Sequence, residues 1–357
     1  MENYTSDSSD NDNQNKIIDF SKLNQSEQVI EDNLEYILNS NKSSIQDIEI
    51  MVLSNNQLKI IPNSLSNFTC LKSLDISFTG VKSLPESLIQ IPLSSLIAKN
   101  NQLRNETLPK LLPVTLKELN FSGNMFQYFP DQVLEMPILK YLYLGGNQIN
   151  SIPKEVKKLT NLQILSMGGN KLAEIPASLG ELRLLQALVL SDNEIESLPA
   201  SLGNLHQLKS LLLHKNKLRT LPPDIIALKN LHELSLRDNP LVVQFVSDMT
   251  YNPATLMELA ARVVKVAEIP YNPRTIPFTV CSYLNSAHCC VNPKCKGVYF
   301  DNRVEHIKFV DFCGKYRIPL LQYLCSSKCA ATGSIDKSMA GPSQLPNRQM
   351  LRKVLLG

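Results

Sequence analysis

Seven of the eight cysteines fall between Cys281 and Cys329, and Cys70 stands apart from them. Two close pairs stand out, Cys290-x4-Cys295 and Cys325-x3-Cys329, separated by 29 residues. Thiolates are soft ligands, and four of them from two such turns complete a tetrahedral shell around one structural zinc ion. A segment the size of 288–329 buries too little to fold without a staple of that kind. The spacing departs from the commoner C-x2-C, and His288, Cys289, His306 and Cys313 are substitute ligands. The competing reading is a set of free cysteines buried in a small core. In a reducing compartment the clustering favours metal over disulfides. Nothing singles out one cysteine as a nucleophile beside a histidine, and paired spacing argues for a structural role. Gly297–Phe300 and Val304–Phe312 read as two strands around the Asp301-Asn302 turn, and Pro319 is placed to open a short helix.

Upstream, residues 250–287 offer recognition chemistry rather than catalysis. Leu256, Leu259, Ala260, Val263 and Val264 share one side of a helix opened by Pro253 and Thr255. One reading is a helical cap closing whatever precedes it. The other is a docking stripe, because Leu256, Ala260 and Val264 lie at i, i+4 and i+8. Thr255-Leu256-x3-Ala260-x3-Val264 resembles the elongin-binding helix of suppressor-of-cytokine-signalling boxes. Ile276-Pro277-x2-Val280-x2-Tyr283-Leu284 is similar to the stretch that closes such boxes and faces a cullin. Ala260 stands where the box usually has cysteine, and the Leu-Pro form of the second stretch is degraded. The resemblance implies elongin B/C and a cullin as partners, with Thr255, Leu256, Ala260, Val264, Ile276, Pro277, Tyr283 and Leu284 at the contact.

The elements that must carry these modules repeat. Asparagine recurs every 23 residues at Asn101, Asn124, Asn147, Asn170, Asn193, Asn216 and Asn239, after Asn56 and with Thr79 in the second place. Around Asn147 the unit reads Leu139, Leu142, Leu144, then Asn147, then Pro153. Leu142 and Leu144 point the same way from a short strand, and stacked copies bury those leucines against one another. The asparagine side chain carries two donors and an acceptor for backbone groups that turn inward, away from water. Thr79 lacks that reach, which predicts a local defect. Proline follows six residues later at Pro62, Pro85, Pro130, Pro153, Pro176, Pro199 and Pro222, on the convex return where a missing N–H costs nothing. Leu108-Pro109 comes two residues late, which predicts a bulge. This pattern is identified as that of the short, LP-containing leucine-rich repeats. It implies an α/β solenoid, a horseshoe with a parallel sheet on its concave face, helical caps and the small cysteine-rich module at its C-terminal side.

The organisation that follows is a polar, disordered 1–16, an N-terminal helical cap at 17–47 and about nine repeats over 48–249. The helical, box-like segment at 250–287, the cysteine module at 288–329 and a linker and tail at 330–357 complete it. Concave positions between the strand leucines form a column, Val52, Asp75, Ile97, Asn120, Tyr143, Ser166, Val189, Leu212 and Ser235. Within and beside it, Tyr141, Tyr143, Val189, Leu212, His214 and Arg237 offer aromatic and apolar anchors for a protein partner. Gly145, Gly146, Gly168 and Gly169 read as an accessible floor beside the tyrosines. The competing view is that apolar residues on such a face are ordinary.

A formal net charge of +3 with 19% charged residues gives no basic patch for nucleic acid, and no apolar run suits a membrane span. The polar N-terminal residues do not resemble a signal peptide, so the expected address is intracellular, cytoplasmic with the nucleus as the alternative. No phosphate-cradling glycine loop, His-Glu metal motif or serine elbow is present, so the chain reads as a non-enzyme. The leading expectation is a substrate-recognition subunit of a cullin-type ubiquitin ligase. The alternative is a scaffold of the GTPase- or phosphatase-binding type with no ubiquitin role.

Overall fold

The computed structural model describes residues 16–40, 45–241, 254–292, 295–312 and 316–332. The expectations for residues 1–15, for Pro253, Cys313 and 333–357 lie outside that range. Two compact units divide the chain, one of 1–218 with 224–239, the other of 219–223 with the residues from 240 onward.

The first unit is a leucine-rich-repeat solenoid built on one sheet of ten parallel strands in sequence order. The strands are β1 (Ile17–Asp19), β2 (Ile50–Val52), β3 (Ser73–Asp75), β4 (Ser95–Ile97), β5 (Glu118–Asn120), β6 (Tyr141–Tyr143), β7 (Ile164–Ser166), β8 (Ala187–Val189), β9 (Ser210–Leu212) and β10 (Glu233–Ser235). Each is three residues long with its middle side chain buried, so Leu142, Leu165, Leu188 and Leu211 stack in register. Returns on the other side are short 3-10 turns such as Lys154–Lys158, entered from an extended proline. The N-terminal segment supplies the helix α1 (Glu27–Ser40), which buries Ile30 and Leu34, and also a strand that the sequence pattern did not announce.

Buried polar bonding fixes each turn. Asn147 Nδ2 donates to the carbonyls of Phe121 and Leu144, both at 3.0 Å, while its Oδ1 accepts from Phe126 N–H at 3.1 Å. Asn124, Asn170, Asn193, Asn216 and Asn239 repeat that set in their own turns. The expected break at Thr79 is instead a rewiring. Thr79 Oγ1 donates to Ile76 O, and Asn101 Oδ1 gathers the N–H groups of Thr79, Gly80 and Val81. Near Leu108-Pro109 the return keeps only a three-residue turn, Asn105–Thr107, and leaves Leu111 and Val114 exposed.

The residue before each ladder position has positive φ, at Asn55, Phe78, Asn100, Gly123, Gly146, Gly169, Asp192, Lys215 and Asp238. Gly146 and Gly169 therefore serve the turn. A Cβ at Gly145 would stand 3.0 Å from Gly168 O, and one at Gly168 would stand 2.9 Å from Ser191 Oγ. These glycines allow close approach of neighbouring turns, and Gly146 is exposed while Gly145, Gly168 and Gly169 are half-buried.

The second unit contains α2 (Leu256–Val266), α3 (Phe278–Asn285), the ribbon of β11 (His288–Cys289) with β12 (Val298–Tyr299), the hairpin of β13 (Val304–Phe312) with β14 (Tyr316–Leu324), and α4 (Ser327–Thr332). The two strands expected to pair around Asp301-Asn302 each take another partner: β12 pairs with β11, and β13 with β14. Pro319 lies inside β14 and opens no helix. Its carbonyl accepts the N–H of Leu221 at 3.0 Å, and Leu321 N–H donates to Leu221 O at 3.0 Å. A proline fits such an edge position because the ladder asks only its carbonyl to bond. Among the described residues no helix is long and apolar enough to cross a membrane.

Replacing Asn147 by Ala strands two carbonyls and one N–H in a dry turn. We expect a loss of about 3 kcal/mol, from about 1–3 kcal/mol for each buried group left unpaired. The same change at half-buried Asn239, whose partners water can reach, should cost less than half as much. Denaturant midpoints of the full chain, read by circular dichroism, check the difference.

Candidate functional site

On the concave sheet, parallel register places Tyr143, Ser166, Val189, Leu212 and Ser235 side by side on consecutive strands. Tyr141 heads the neighbouring row with Ile164, Ala187 and Ser210. Strands lie ~4.8 Å apart, so Tyr143 and Leu212 sit ~14 Å from each other, a span that fits a peptide or a protein loop. Both tyrosines, Val189, Leu212 and His214 are half-buried, and Arg237 is exposed. Tyr141 Oη bonds Gln163 Oε1 at 3.4 Å. Burial, with the charge of Glu118, raises the Tyr143 phenol above its ordinary value, so it remains a neutral donor.

In the second unit, Thr255 caps α2: its side-chain oxygen accepts the Glu258 N–H at 3.2 Å. The face of α2 turned inward is narrow, with Glu258 and Ala261 buried and Val264 packed against Leu284, Val298 and Phe300. Its outer face is apolar. Leu256 is 85% exposed and Val263 63%, with Met257, Leu259, Ala260 and Val266 also exposed. The stripe read from the sequence therefore splits, Leu256 and Ala260 facing solvent and Val264 facing the core. In the second stretch Ile276, Tyr283 and Leu284 are part of that core, and Tyr283 stacks on Phe300 at 4.7 Å. Pro277 is exposed, as are Val280 and Phe278, the latter by 75%.

An ion pair at i, i+4 in α2, with its carboxylate fully buried and its guanidinium 17% exposed, escaped the sequence reading. Glu258 accepts from Arg262 at 2.5 Å, from Phe300 N–H at 3.2 Å, and from the N–H and Nδ2 of Asn302 at 3.0 and 2.7 Å. Arg262 also donates to Cys325 O at 2.8 Å and Asn302 O at 2.5 Å. Burial opposes ionisation of Glu258, but Arg262 and the donors of Asn302 and Phe300 outweigh it and hold the carboxyl below its ordinary 4.5. The pair's contribution is therefore complete above that pH and fades as the pH falls through the lowered value. The Glu-x3-Arg spacing was the available signal, but on most helices it marks a solvent-exposed pair of small worth.

The sulfurs of Cys290, Cys295, Cys325 and Cys329 lie within 4.8 Å of one another, with Cys295 and Cys325 at 3.5 Å and Cys325 and Cys329 at 3.6 Å. None is in a disulfide. Ligand bonds of about 2.3 Å put tetrahedral sulfurs roughly 3.8 Å apart, so the cluster is the right size for one ion. Gly297 N–H donates to Cys295 Sγ at 3.2 Å, and Cys325 N–H to Cys290 Sγ at 3.5 Å. A Cβ on Gly297 would meet Cys325 Sγ at 2.8 Å and Cys295 Sγ at 3.0 Å. The Gly297 N–H holds the Cys295 thiol below its ordinary value, while burial pushes Cys325 and Cys329 up. A cation among them would supply the charge that ionises all four. Four such cysteines can bind a metal. Cys289 and His288 are exposed, with the His288 ring on Tyr299, and neither they nor His306 joins the cluster.

A family model described as leucine rich repeat matches residues 114–172. Leucine-rich repeat-containing protein 58 of Xenopus laevis is 59% identical over 330 residues, covering 91% of this chain and 93% of that protein. The Homo sapiens protein of that name is 61% identical over 317 residues, covering 87% of this chain and 85% of its own length. Among solved structures, the functional domain of InlJ from Listeria monocytogenes shares the fold with a TM-score of 0.50 at 21% identity, over 65% of this chain and 46% of that one.

Glu258→Ala should destabilise the second unit by about 3–5 kcal/mol, since it leaves a buried guanidinium uncompensated. Replacing both partners by methionine removes the stranded charge but leaves the Phe300 and Asn302 N–H groups and the Cys325 and Asn302 carbonyls unpaired, so it should recover only part of that loss. Protection of the α2 and β12 amides in hydrogen exchange distinguishes the two.

Proposed function

The chain belongs to the leucine-rich repeat-containing protein 58 family, and on that premise we propose that it is the substrate-recognition subunit of a cullin-type ubiquitin ligase. It is a leucine-rich-repeat interaction module, and in this reading it performs no chemistry of its own. The concave row around Tyr141, Tyr143, Val189, Leu212, His214 and Arg237 holds a protein substrate. Helix α2 docks on elongin B/C, and the chain works inside the cell, by proximity. Holding a substrate beside a charged ubiquitin carrier raises the effective concentration of its lysines.

The observation that carries this reading is the outer face of α2. A capped helix that buries only Glu258 and Ala261 while exposing Leu256, Met257, Leu259, Val263 and Val266 has its apolar side available to a partner groove. One fact favours the scaffold alternative: Ile276, Tyr283 and Leu284 of the cullin-like stretch belong to the unit's own core. A cullin contact would then fall to Pro277, Phe278 and Val280. The four cysteines hold one structural zinc.

Two measurements test this. Immobilised full-length protein should capture purified elongin B/C, and Leu256→Asp should weaken capture at least about tenfold, because a charge on the stripe must be desolvated. Position 256 is so exposed that the variant should keep its circular dichroism spectrum. If the folded wild type captures no elongin, the scaffold reading replaces the ligase one. Metal analysis should give one zinc per chain, lost in Cys325→Ser. A chain that retains none refutes the zinc assignment.

A further inference from the structure

Helix α2 is held in an unusual way. Its apolar side chains mostly face outward, and burial of Ala261 with half-buried Val264 cannot by itself anchor eleven residues. The anchoring groups are Glu258 and Arg262, one turn apart, and each is bound to a segment that leaves a cysteine knuckle. Arg262 Nη1 donates to the carbonyl of Cys325, itself one of the four sulfur residues. Glu258 accepts the N–H of Phe300, in the segment that leaves Cys295 through Gly297, whose own N–H is bonded to Cys295 Sγ. Arg262 Nη2 and Glu258 Oε2 close the loop on the O and N–H of Asn302. Both knuckles thus grip the same helical turn, through backbone atoms whose positions depend on where the sulfurs converge.

We propose that the four-cysteine metal site is the device that orders helix α2, with Arg262 as the strut, so that metal occupancy decides whether the apolar stripe is presented. A bound ion fixes the Cys325 carbonyl and the Cys295–Phe300 segment, and the buried pair then has all its partners in place. Loss of the ion lets the two knuckles separate. Buried Glu258 and largely buried Arg262 are left as incompletely paired charges, which the unit relieves by releasing α2. Metal and docking partner are then linked ligands, each raising the affinity for the other. The proposal rests on the zinc assignment above, and only its docking consequence rests on the ligase reading.

Hydrogen exchange on the full-length chain tests it, with zinc as the probe. Removing zinc with a chelator should lower protection of the Leu259–Val266 amides about tenfold or more and leave β6–β9 unchanged, because local opening reports local anchoring. In Glu258→Met/Arg262→Met, zinc should still bind one per chain, but α2 protection should no longer respond to its removal. Should that variant fail to fold, Arg262→Lys serves instead. It keeps the charge opposite Glu258 but cannot span Asn302 O and Cys325 O together, and the response should shrink. If zinc binds and its removal leaves α2 protected, the coupling is wrong while the metal site stands. If the double variant responds as the wild type does, Arg262 is no strut. A chain that binds no zinc overturns the proposal with its premise, whether or not elongin is captured.

Discussion

A repeat that turns the chain inward every 23 residues must satisfy backbone groups that no water reaches, and the rest of the first unit depends on that constraint. Asparagine meets it with a single side chain that donates twice and accepts once, joining its own turn to the preceding one. Leucine burial supplies the bulk of the driving force, but leucines alone would tolerate sliding between turns. The ladder removes that freedom because its bonds reach fixed backbone atoms, one turn to the next. Registered strands follow, and with them a concave surface on which Tyr143, Val189 and Leu212 form one row.

The second unit meets a related problem by different means. It has no repeat, and among the described residues the clusters that α2 and the four cysteines join are small. Specificity rests instead on buried polar groups: the Glu258–Arg262 pair with its backbone partners, and four sulfurs around a common point. Ionic anchoring leaves the apolar side of α2 unspent, whereas a helix held by its leucines would have none to offer. How the unit is held and what it presents are thus one physical fact.

Legibility in the sequence followed the range of the contacts. The ladder asparagines, the strand leucines and the convex prolines repeat at one spacing because each acts on the adjacent copy. The four cysteines were legible as pairs because each knuckle is local. Pro319 was misread because a proline's usual place at a helix start is a local rule, while its place in β14 depends on a distant strand edge. For the glycines beside Tyr143 the sequence showed small residues but not why the fold needs them. Their role lies in the positive φ at Gly146 and Gly169 and in the approach of Gly145 to Gly168, contacts one full turn apart.

Sequence by itself determined the repeat, its period, the sheet it must form and the residues whose sulfurs can meet, since all of these follow from composition at fixed spacing. Tertiary structure alone decided which face of α2 looks outward. A helical stripe of Leu256, Ala260 and Val264 is one line in the sequence. Packing against Phe300 and Leu284 turns Val264 in and leaves the other two out, because the small core has room for only a narrow part of the helix. It likewise decided that Glu258 is buried and Arg262 largely so. An i, i+4 pair carries no mark of its depth until Asn302, Phe300 and Cys325 arrive from 40 to 63 residues away in sequence to bond it.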